Sequence, residues 1–495
     1  MTIRISCTKM KVRIATIDRS MPLPMPVKVR PYAHQQAGYD FACRIFGLYD
    51  GRIRSHGVAF LMEMGTGKTL TSIGVTGALY QFGLVNRVLV ACPLSITGVW
   101  EEEFQAFADY PVNITVLKGT SEKKKQQISK ILSDGLQVLI VNYESAWRLE
   151  AELLKFNADL IIADEGHKLK DNRSRQSKGM QHLGDKARYK LLLTGTVITN
   201  REMDVFSQYR FLDSRIFGTS FYAFRNRYFD MTGYGNHIPV FRQSMADDFL
   251  KRMHCIAYRV TKEECLDLPQ IREEVRKIEL EPKAMKMYEQ LQEDCFTQLK
   301  GSEVTAANVL TKMLRLSQLT GGHLTDDEHH VRPVSHAKLD ALSDIIDAAV
   351  SDGQKLVVMA RFVAEMDDIE ELLKGKGIGY AVVRGGVKDR DDEVKQFQTD
   401  PSCQVFVGQI AAAGLGITLT AAHTMVFYSL DYSMSNFDQA KARIHRVGQK
   451  QKCLYIYLIA RGTVDSKVLR SLRKKVNLAK ALVDDYRNGR NPFDE

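Results

Sequence analysis

The sequence lacks any pair of cysteines at the CxxC spacing. Its eight cysteines are scattered along 495 residues, so the pattern is typical neither of a zinc ribbon nor of a disulfide scaffold, and it indicates a reducing compartment. The first residues also lack the basic and then apolar pattern of a secretion signal. We therefore expect a protein that is not secreted.

Long uncharged runs are scarce, and the one that raises the question of a membrane span is 410–430. Its 21 residues carry no Asp, Glu, Lys or Arg, which is long enough to cross a bilayer. The run also contains glycines, threonines, a histidine and a serine, and this mixture predicts a loop, a short helix and a strand. We therefore expect no membrane partner.

The charge balance is basic, because 69 Lys and Arg residues face 59 Asp and Glu residues and give a formal net charge of +10. This favours a polyanionic partner, although a merely basic soluble protein remains an alternative. Candidate metal ligands occur in a histidine-rich stretch next to acidic residues: His323, His329, His330 and His336. A solvated loop is the favoured interpretation of that stretch.

Two sets of short apolar runs organise the chain. The first set comprises 58–61, 87–92, 137–143, 160–163 and 190–193, and the second comprises 355–360, 380–383, 404–407, 424–428 and 454–459. The runs are continuous and rich in Leu and β-branched residues, as expected of parallel strands buried on both faces. Helix-like segments such as 70–82, 364–373 and 389–397 separate many of them, which predicts an α/β fold with two lobes.

The expected domains follow from these two sets. We expect an N-terminal segment with a candidate hairpin and linker at 1–26, a first lobe at 27–215, helical protrusions and a hinge at 216–335, and a second lobe with a C-terminal helix at 336–495. The stretch 217–335 differs from both lobes, since it begins with aromatic and basic residues and continues with helical patterns at 282–300 and 304–319.

A glycine loop follows the first strand, in the sequence Met-Glu-Met-Gly-Thr-Gly-Lys-Thr at 62–69. A strand, a glycine loop and a helix that begins at Lys68-Thr69 would place backbone N–H groups against phosphate oxygens. In this arrangement Lys68 neutralises phosphate and the Thr69 hydroxyl ligates Mg²⁺. The full GxxxxGK[ST] pattern fails because position 62 is Met, and a GKT triplet alone also occurs by chance.

Two carboxylates, Asp164 and Glu165, directly follow the fourth apolar run of the first set, 160–163. A carboxylate at the C-terminal end of a buried strand is where a Walker-B Asp holds Mg²⁺, and this predicts Asp164 as the magnesium ligand. Glu165 beside it can orient and deprotonate an attacking water. An acidic strand end without function is the alternative, but it does not explain why both motifs occur in the right order.

Three polar residues near the last apolar run can supply positive charge to a developing γ-phosphate. Arg443 and Arg446 are three apart, and Gln439 lies four before Arg443, so a helix would place all three on one face. Because they belong to the second lobe, catalysis would require the lobes to close. Solvated helix charges are the alternative.

With these motifs in place, the chain resembles the SWI/SNF-type DNA translocases of helicase superfamily two from about Arg30 to Val468. The motifs that carry the resemblance are 30–35, 91–95 followed by Trp100 and Phe104, 164–170, 193–196 with Asn200, 224–228, 258–262, 268–269, 414–416, 439–449 and 462–465. The resemblance implies two RecA-like lobes with parallel sheets and helical protrusions between them.

The resemblance also implies ATP and Mg²⁺ as cofactors and DNA, duplex or branched, as the partner. The implied nucleotide-binding residues are Arg30, Gln35, Gly65, Thr66, Gly67, Lys68, Thr69 and Gly416, with Gln35 as the adenine contact. The implied DNA-binding residues are Ser95, Thr194, Arg361 and Gly414. The catalytic residues are expected to be Lys68, Asp164, Glu165, Gln439, Arg443 and Arg446.

The chain departs from the family pattern at three positions. Val197 replaces the usual proline, Ala411 stands where many members carry an arginine, and Thr418 stands where many carry an asparagine. This variant is closer to the fork-remodelling and annealing branch than to nucleosome remodellers. Bromodomain, chromodomain, RING and zinc modules are absent from the sequence, so we expect a nearly bare motor.

The expected function is that of an ATP-dependent translocase of double-stranded DNA, acting on forks or recombination intermediates. The expected location is the cytoplasm of a bacterial or phage-infected cell, or the nucleus of a eukaryote. One alternative is a strand-separating helicase or RNA-directed ATPase of the same superfamily. Another is a protein-displacing or scaffold subunit whose ATPase is vestigial, although the intact Lys68, Asp164 and Glu165 argue against it.

Overall fold

The structure is a computed structural model that describes residues 23–131, 134–195, 202–232, 238–265, 269–300, 306–325, 330–385, 390–413 and 417–474. The candidate N-terminal hairpin therefore lies outside the described residues, as do Gly414, Gly416 and Val197. Within the described chain, no helix is long and apolar enough to cross a membrane. The uncharged run 410–430 contains a short helix and a strand, as predicted.

The strands, numbered along the chain, are β1 Gly57–Met62, β2 Arg87–Cys92, β3 Val112–Val116, β4 Leu136–Asn142, β5 Leu160–Asp164, β6 Tyr189–Thr194, β7 Phe229–Thr232, β8 Ile238–Phe241, β9 Ala257–Val260, β10 Ile271–Ile278, β11 His323–Thr325, β12 Val331–Pro333, β13 Leu356–Ala360, β14 Gly379–Val383, β15 Cys403–Gln409, β16 Thr424–Phe427 and β17 Cys453–Ala460. All ten runs predicted as strands are confirmed, with bounds that differ by at most two residues.

The helices are α1 Ala33–Ile45, α2 Lys68–Gln81, α3 Thr97–Phe107, α4 Ser121–Ser129, α5 Tyr143–Arg148, α6 Glu150–Phe156, α7 Arg175–Lys186, α8 Val205–Leu212, α9 Ser214–Phe217, α10 Phe221–Tyr228, α11 Ala246–His254, α12 Lys262–Cys265, α13 Pro282–Lys300, α14 Ala306–Thr320, α15 Ala337–Ser351, α16 Val363–Gly375, α17 Arg390–Thr399, α18 Ile410–Ala413, α19 Met434–Lys441 and α20 Val464–Arg473. Short 3-10 helices occur at Leu94–Ile96, Gly166–Leu169, Glu202–Asp204 and Gln243–Met245.

Two parallel sheets organise these elements into two lobes. The sheet of lobe 1 has the order β3-β4-β2-β5-β6-β1-β9, and the sheet of lobe 2 has the order β10-β17-β16-β13-β15-β14. Neighbouring strands within each sheet are parallel throughout. The predicted fold class, α/β with two lobes, is therefore confirmed.

Apolar residues cover both faces of each sheet, which explains why the strands are continuous apolar runs. In lobe 1, alternate residues of β1 point to different cores, so that Ala59 packs in one cluster and Phe60 in the other. In lobe 2, Val357 and Val358 divide in the same way between two clusters. Because both faces of the sheets are apolar, the polar functional residues lie at the ends of the strands and in the loops that follow them.

The segment 216–335, expected to form helical protrusions and a hinge, also extends both sheets. It contains the predicted helices α13 and α14 and an antiparallel hairpin of β7 and β8. It also contributes β9 to the edge of the first sheet, beside β1, and β10 to the edge of the second sheet, beside β17. The chain therefore passes from one lobe to the other between these two strands.

Candidate active site

The glycine loop connects β1 to α2, and its shape depends on two glycines. Gly65 and Gly67 have φ values of +83° and +89°. This is a left-handed backbone conformation that residues other than glycine rarely adopt. A Cβ on Gly67 would also overlap the amide of Gln35. Gly67 is the N-cap of α2 and provides no side-chain cap, so the first N–H groups of the helix are available to an anion.

The two residues that begin α2 lie where the motif predicts. The Lys68 Nζ donates a 2.9 Å hydrogen bond to the carbonyl of Met62, which folds the ammonium across the loop. The Thr69 side chain lies near the carboxylate of Glu103 on α3 and stabilises its charged form. Thr66 closes the loop through its hydroxyl, 2.7 Å from the Glu63 carbonyl.

Gln35, expected to read adenine, is held against the glycine loop. It is only 5% exposed, its amide donates to the Thr66 carbonyl over 3.2 Å, and its Oε1 accepts from the N–H of Tyr32 at 2.9 Å. His34 lies 2.7 Å from the same Thr66 carbonyl. Arg30 is exposed nearby. These contacts place Gln35 beside the loop, and adenine recognition stays a prediction.

Asp164 ends β5 and is anchored by three hydrogen bonds. Its Oδ2 accepts from the indole N–H of Trp100 at 2.9 Å, its Oδ1 accepts from the N–H of Glu165 at 2.8 Å, and its carbonyl accepts from the Tyr143 hydroxyl at 2.7 Å. Asp164 is 7% exposed. Burial and repulsion from Glu165 raise the pKa of Asp164 to about 6, against the opposing charge of Lys68.

Glu165 has an uncommon backbone, with φ at +51°. Such strain in a residue other than glycine is concentrated at functional sites. Its Oε2 lies 3.2 Å from the His167 Nδ1. Burial opposes ionisation of Glu165, but the hydrogen bond from His167 and the charges of Lys68 and Arg443 together hold its pKa below the usual value. Glu165 is therefore ionised at neutral pH and can accept a proton.

The residues present fit a magnesium ion of the kind that accompanies a nucleotide. Mg²⁺ prefers oxygen ligands and takes few from the protein when phosphates and water supply the others. Thr69 offers a hydroxyl, and the buried Asp164 carries a charge that a cation would stabilise. Within the described residues, no group of three or more His, Cys, Asp or Glu is arranged to hold a metal, and His323 instead lies 3.1 Å from Asp368.

The arginines of lobe 2 do not share a helix face with Gln439, so that prediction is wrong. Helix α19 ends at Lys441, and Arg443 and Arg446 lie in the turns after it. The helical ladder is broken at Arg443, because its N–H donates to the carbonyl of Ala440 at 3.0 Å while the carbonyl of Gln439 accepts from the Arg443 Nε.

The two arginines nevertheless converge through one acceptor. Both donate to the carbonyl of Ile417 over 3.1 Å, and the Nε of Arg443 donates to the carbonyl of Gln439 at 3.0 Å. Burial and repulsion from Arg446 lower the pKa of Arg443 to about 9, so it stays charged at neutral pH. The predicted trio is therefore assembled by turns and not by a helix.

Lobe 2 presents these arginines to the motifs of lobe 1. A Cβ on Gly65 would lie 3.5 Å from the Cβ of Arg446, and the charge of Arg443 acts on Glu165. The predicted residues Lys68, Asp164, Glu165, Arg443 and Arg446 therefore lie around one site between the lobes.

Glu103 is a member of this site that the sequence analysis missed. Burial and repulsion from Asp164 raise the pKa of Glu103 to about 7, while Arg446 and Thr69 stabilise its charged form. The spacing in the sequence could have indicated this residue. Glu103 lies three residues after Trp100 on α3, so both side chains share one face of the helix. Trp100 itself donates to Asp164.

The residues expected to bind DNA have different surroundings. Ser95 is exposed in the 3-10 helix Leu94–Ile96 and lines a cleft of about 680 Å³ between the lobes. Thr194 is 0% exposed at the end of β6, so it has no accessible surface in this conformation, and its contact with DNA stays a prediction. Arg361 lies 3.8 Å above the ring of Tyr432, and Gly414 is outside the described residues.

The cleft that contains Ser95 is lined by both lobes. Its lining includes Lys168 and Tyr143 from lobe 1, and Arg384, Arg390 and Ala411 from lobe 2. Lys168 is exposed and, among the described residues, no acidic partner lies within ion-pair distance of it. Arg384 instead pairs with Asp367 at 2.6 Å.

Comparison with known proteins adds two family matches. Residues 33–321 match the family model described as SNF2-related domain, and residues 337–448 match the one described as Helicase conserved C-terminal domain. The Mus musculus protein named Chromodomain-helicase-DNA-binding protein 1-like is 26% identical over 474 residues, which cover 92% of this chain and 50% of the relative. The Saccharomyces cerevisiae protein named DNA repair and recombination protein RDH54 is 26% identical over 484 residues, which cover 86% of this chain and 51% of the relative.

The chain thus spans about half the length of these curated relatives. Among solved structures, the Sulfolobus solfataricus SWI2/SNF2 ATPase core in complex with dsDNA is similar at 24% identity and a TM-score of 0.46. That comparison covers 95% of this chain and 96% of the other.

Proposed function

Since this chain belongs to the SNF2-related family, whose model matches residues 33–321, we propose that it is an ATP-dependent translocase of double-stranded DNA that remodels structures such as forks or recombination intermediates. The observation that carries the proposal is the convergence of two lobes on one site. Lys68, Asp164 and Glu165 come from lobe 1, while Arg443 and Arg446 come from lobe 2.

Each residue of the site has a defined part in ATP hydrolysis. The N–H groups at the start of α2 and the Lys68 ammonium bind the phosphates. Thr69 and Asp164 would hold Mg²⁺, which neutralises charge on the phosphates when it is bound. Glu165, which its lowered pKa keeps ionised at neutral pH, orients the attacking water and is available to accept its proton.

The two arginines connect hydrolysis to movement. They stabilise charge on the transferred phosphoryl group, as arginine fingers do, and they can do so only while lobe 2 lies against lobe 1. Opening and closing of the lobes would therefore accompany each cycle. Gln439 supports this arrangement through its carbonyl, which accepts from Arg443.

DNA is proposed to lie along the cleft that both lobes line. The side chains there include exposed hydroxyl and basic groups such as Ser95 and Lys168. Such groups contact phosphates and carry little sequence information, so binding should be independent of sequence and sensitive to salt. If one lobe keeps its grip while the other shifts, closure moves the motor along the duplex.

The choice of forks or recombination intermediates rests on family analogy, which is a weaker argument than the site. Ala411, in the cleft that contains Ser95, follows the pattern of the fork-remodelling branch. One yeast relative is named as a DNA repair and recombination protein, and the mouse relative is named for a chromodomain and DNA binding. The first name supports the recombination assignment.

The decisive experiment is the rate of ATP hydrolysis without nucleic acid and with duplex, forked and single-stranded DNA and RNA at one salt concentration. Strong stimulation by duplex or forked DNA is expected. Stimulation by RNA or single strands alone would instead favour the strand-separating helicase. No hydrolysis under any condition would favour a scaffold subunit.

Translocation needs a separate measurement, because an ATPase stimulated by DNA need not move. Displacement of a third strand from a triplex on duplex DNA reports movement without strand separation. The expected result is ATP-dependent release by the natural protein and none by Glu165→Gln. Unwinding of the duplex itself would contradict the proposal.

A further inference from the structure

Lys262, at the start of α12, makes a direct contact between the lobes. It follows β9, the last strand of the first sheet, and its Nζ donates a 2.9 Å hydrogen bond to the carbonyl of His445 in lobe 2. His445 lies between Arg443 and Arg446. We call the segment 442–448, which carries both arginines, the arginine turn.

The backbone of Lys262 is tied to the glycine loop. Its N–H donates to the Oε2 of Glu63 at 2.7 Å, and the N–H of Glu63 donates to the carbonyl of Val260 at 3.1 Å. A Cβ on Gly65 would lie 3.8 Å from the Cε of Lys262. One residue thus connects the beginning of the glycine loop to the arginine turn.

The arginine turn has a second anchor that keeps the His445 carbonyl in place. The ring of His445 lies 2.9 Å from the carbonyl of Pro269, in the segment that leads from α12 to β10. The acceptor of Lys262 is therefore held in a fixed position. Loss of the Lys262 ammonium would leave that carbonyl without this donor while the rest of the turn stays attached to lobe 2.

The charges around Lys262 argue against a purely stabilising role. Glu63 supplies the one opposite charge among the groups acting on it, whereas Lys68, Arg443 and Arg446 all repel it. Burial and this repulsion lower the pKa of Lys262 to about 8. A cation held among cations, with a neutral carbonyl as its acceptor, adds little to stability. The arrangement suits a site that receives a strongly anionic ligand.

We propose that Lys262 is a positioning residue that holds the arginine turn of lobe 2 against the glycine loop of lobe 1, so that Arg446 is aligned with the nucleotide. This inference rests on the proposed function, since it concerns the alignment of an arginine for ATP hydrolysis. Lys262 acts through the His445 carbonyl and not on the reacting atoms.

Three variants separate this role from general stability. Lys262→Met keeps the length of the side chain and removes the donor, and Lys262→Arg restores a donor. Lys190→Met is the matched control, because the buried Lys190 also donates to a backbone carbonyl, that of Gly184 at 3.2 Å, but within lobe 1 alone.

The first measurement is amide hydrogen exchange of the nucleotide-free proteins, which reports local opening. Lys262→Met should exchange faster in 62–68 and 442–448, Lys262→Arg should restore protection, and Lys190→Met should leave these peptides unchanged. Unchanged exchange in Lys262→Met would overturn the proposal, as would an equal change in the control.

The second measurement is the dependence of hydrolysis on ATP concentration. Because misplacement of a catalytic group by about 1 Å can cost on the order of 100-fold, kcat of Lys262→Met should fall by about 10- to 100-fold while KM for ATP changes little. A raised KM with an unchanged kcat would overturn the positioning role. If the natural protein hydrolyses no ATP, the proposed function fails, while hydrogen exchange still decides whether Lys262 links the lobes.

Discussion

Each lobe contains a strand that leads into a helix. In lobe 1 no side chain caps the N-terminus of this helix, which we call open, whereas in lobe 2 a carboxyl group occupies it, and we call that helix filled. In lobe 1, β1 leads through the glycine loop to α2, whose N-cap Gly67 has no side chain to offer. In lobe 2, β13 leads to α16, and the carboxylate of Glu365 accepts from the N–H groups of Arg361 and Phe362 at 3.2 and 3.1 Å.

This difference supports lobe 1 as the proposed phosphate site. A helix N-terminus attracts an anion, and in lobe 2 the carboxyl group of Glu365 already occupies this position. Glu365 is 1% exposed, and it also accepts from the Ser429 hydroxyl at 2.5 Å. Lobe 2 instead contributes the arginine turn, so in the proposed reaction both lobes supply positive charge to the phosphates.

Lys68→Ala tests the difference between the two helix N-termini, and we expect it to have the largest effect. If the open helix of lobe 1 is the phosphate site, loss of this ammonium should abolish ATP turnover and greatly weaken nucleotide binding. Steady-state hydrolysis and calorimetric titration with ATP measure the two effects. Lys376→Ala, which removes an exposed lysine of lobe 2 paired with Asp347 at 2.7 Å, should behave like the natural protein. Equal activity of both variants would show that phosphate binds elsewhere.

Glu165→Gln should separate binding from chemistry within lobe 1. Glutamine keeps the size of the side chain but cannot accept the proton of the attacking water, so ATP should bind while hydrolysis falls to background. Calorimetry and a single-turnover assay provide the measurements. Hydrolysis at the natural rate would show that another group is the base.

Arg446→Ala should show what lobe 2 contributes. Since arginine fingers contribute ~10³ or more to the rate, kcat should fall by about that factor while nucleotide affinity stays nearly constant. Arg461→Ala is a suitable control, because Arg461 forms an exposed ion pair with Glu279 at 2.9 Å. A loss of affinity with little change in kcat would mean that Arg446 serves binding and not the transition state.

The sequence predicts both helices and the uncapped N-terminus of α2, but it does not reveal that the carboxyl group of Glu365 occupies the N-terminus of α16. The glycine loop, the buried strands and the carboxylates after β5 are local patterns, so their positions follow from a few adjacent residues. The role of Glu365 depends on Ser429, which belongs to a distant part of the chain and reaches it only in the folded lobe. The same reason hides Glu103, whose partners Thr69 and Arg446 lie in different lobes.

Other differences from the sequence predictions have equally specific causes. Strand β10 is an edge strand in which five of the eight residues are charged, so it lacks the continuous apolar pattern of the inner strands. The arginine turn breaks the expected helix because the carbonyl of Gln439 accepts from the Arg443 side chain, while the Arg443 N–H donates to Ala440. Both outcomes depend on tertiary contacts that helical or strand periodicity does not encode.

Glu365→Gln tests whether the buried carboxyl group at the N-terminus of α16 makes the stability of the protein depend on pH. Burial raises the pKa of Glu365 to about 7, so its contribution to stability is present at low pH and is lost as pH rises through about 7. From the usual value near 4.5, the loss is on the order of 3 kcal/mol. The variant should therefore melt like the natural protein at pH 5 and at a higher temperature at pH 9. A difference in melting temperature that is independent of pH would contradict this assignment.

Lys168→Ala should have the smallest effect of these variants. It extends the comparison of the two lobes to the cleft proposed to bind DNA. Lys168 is exposed in the cleft, whereas Arg361 is held over the Tyr432 ring in lobe 2. Lys168→Ala should weaken duplex binding severalfold and reduce the slope of log K against log salt by about 1. Arg361→Ala should leave that slope unchanged and lower the melting temperature instead, because it removes a packed cation–π contact. A reduced slope for Arg361→Ala would show that this side chain leaves Tyr432 to bind phosphate, which would restore the role expected from the sequence.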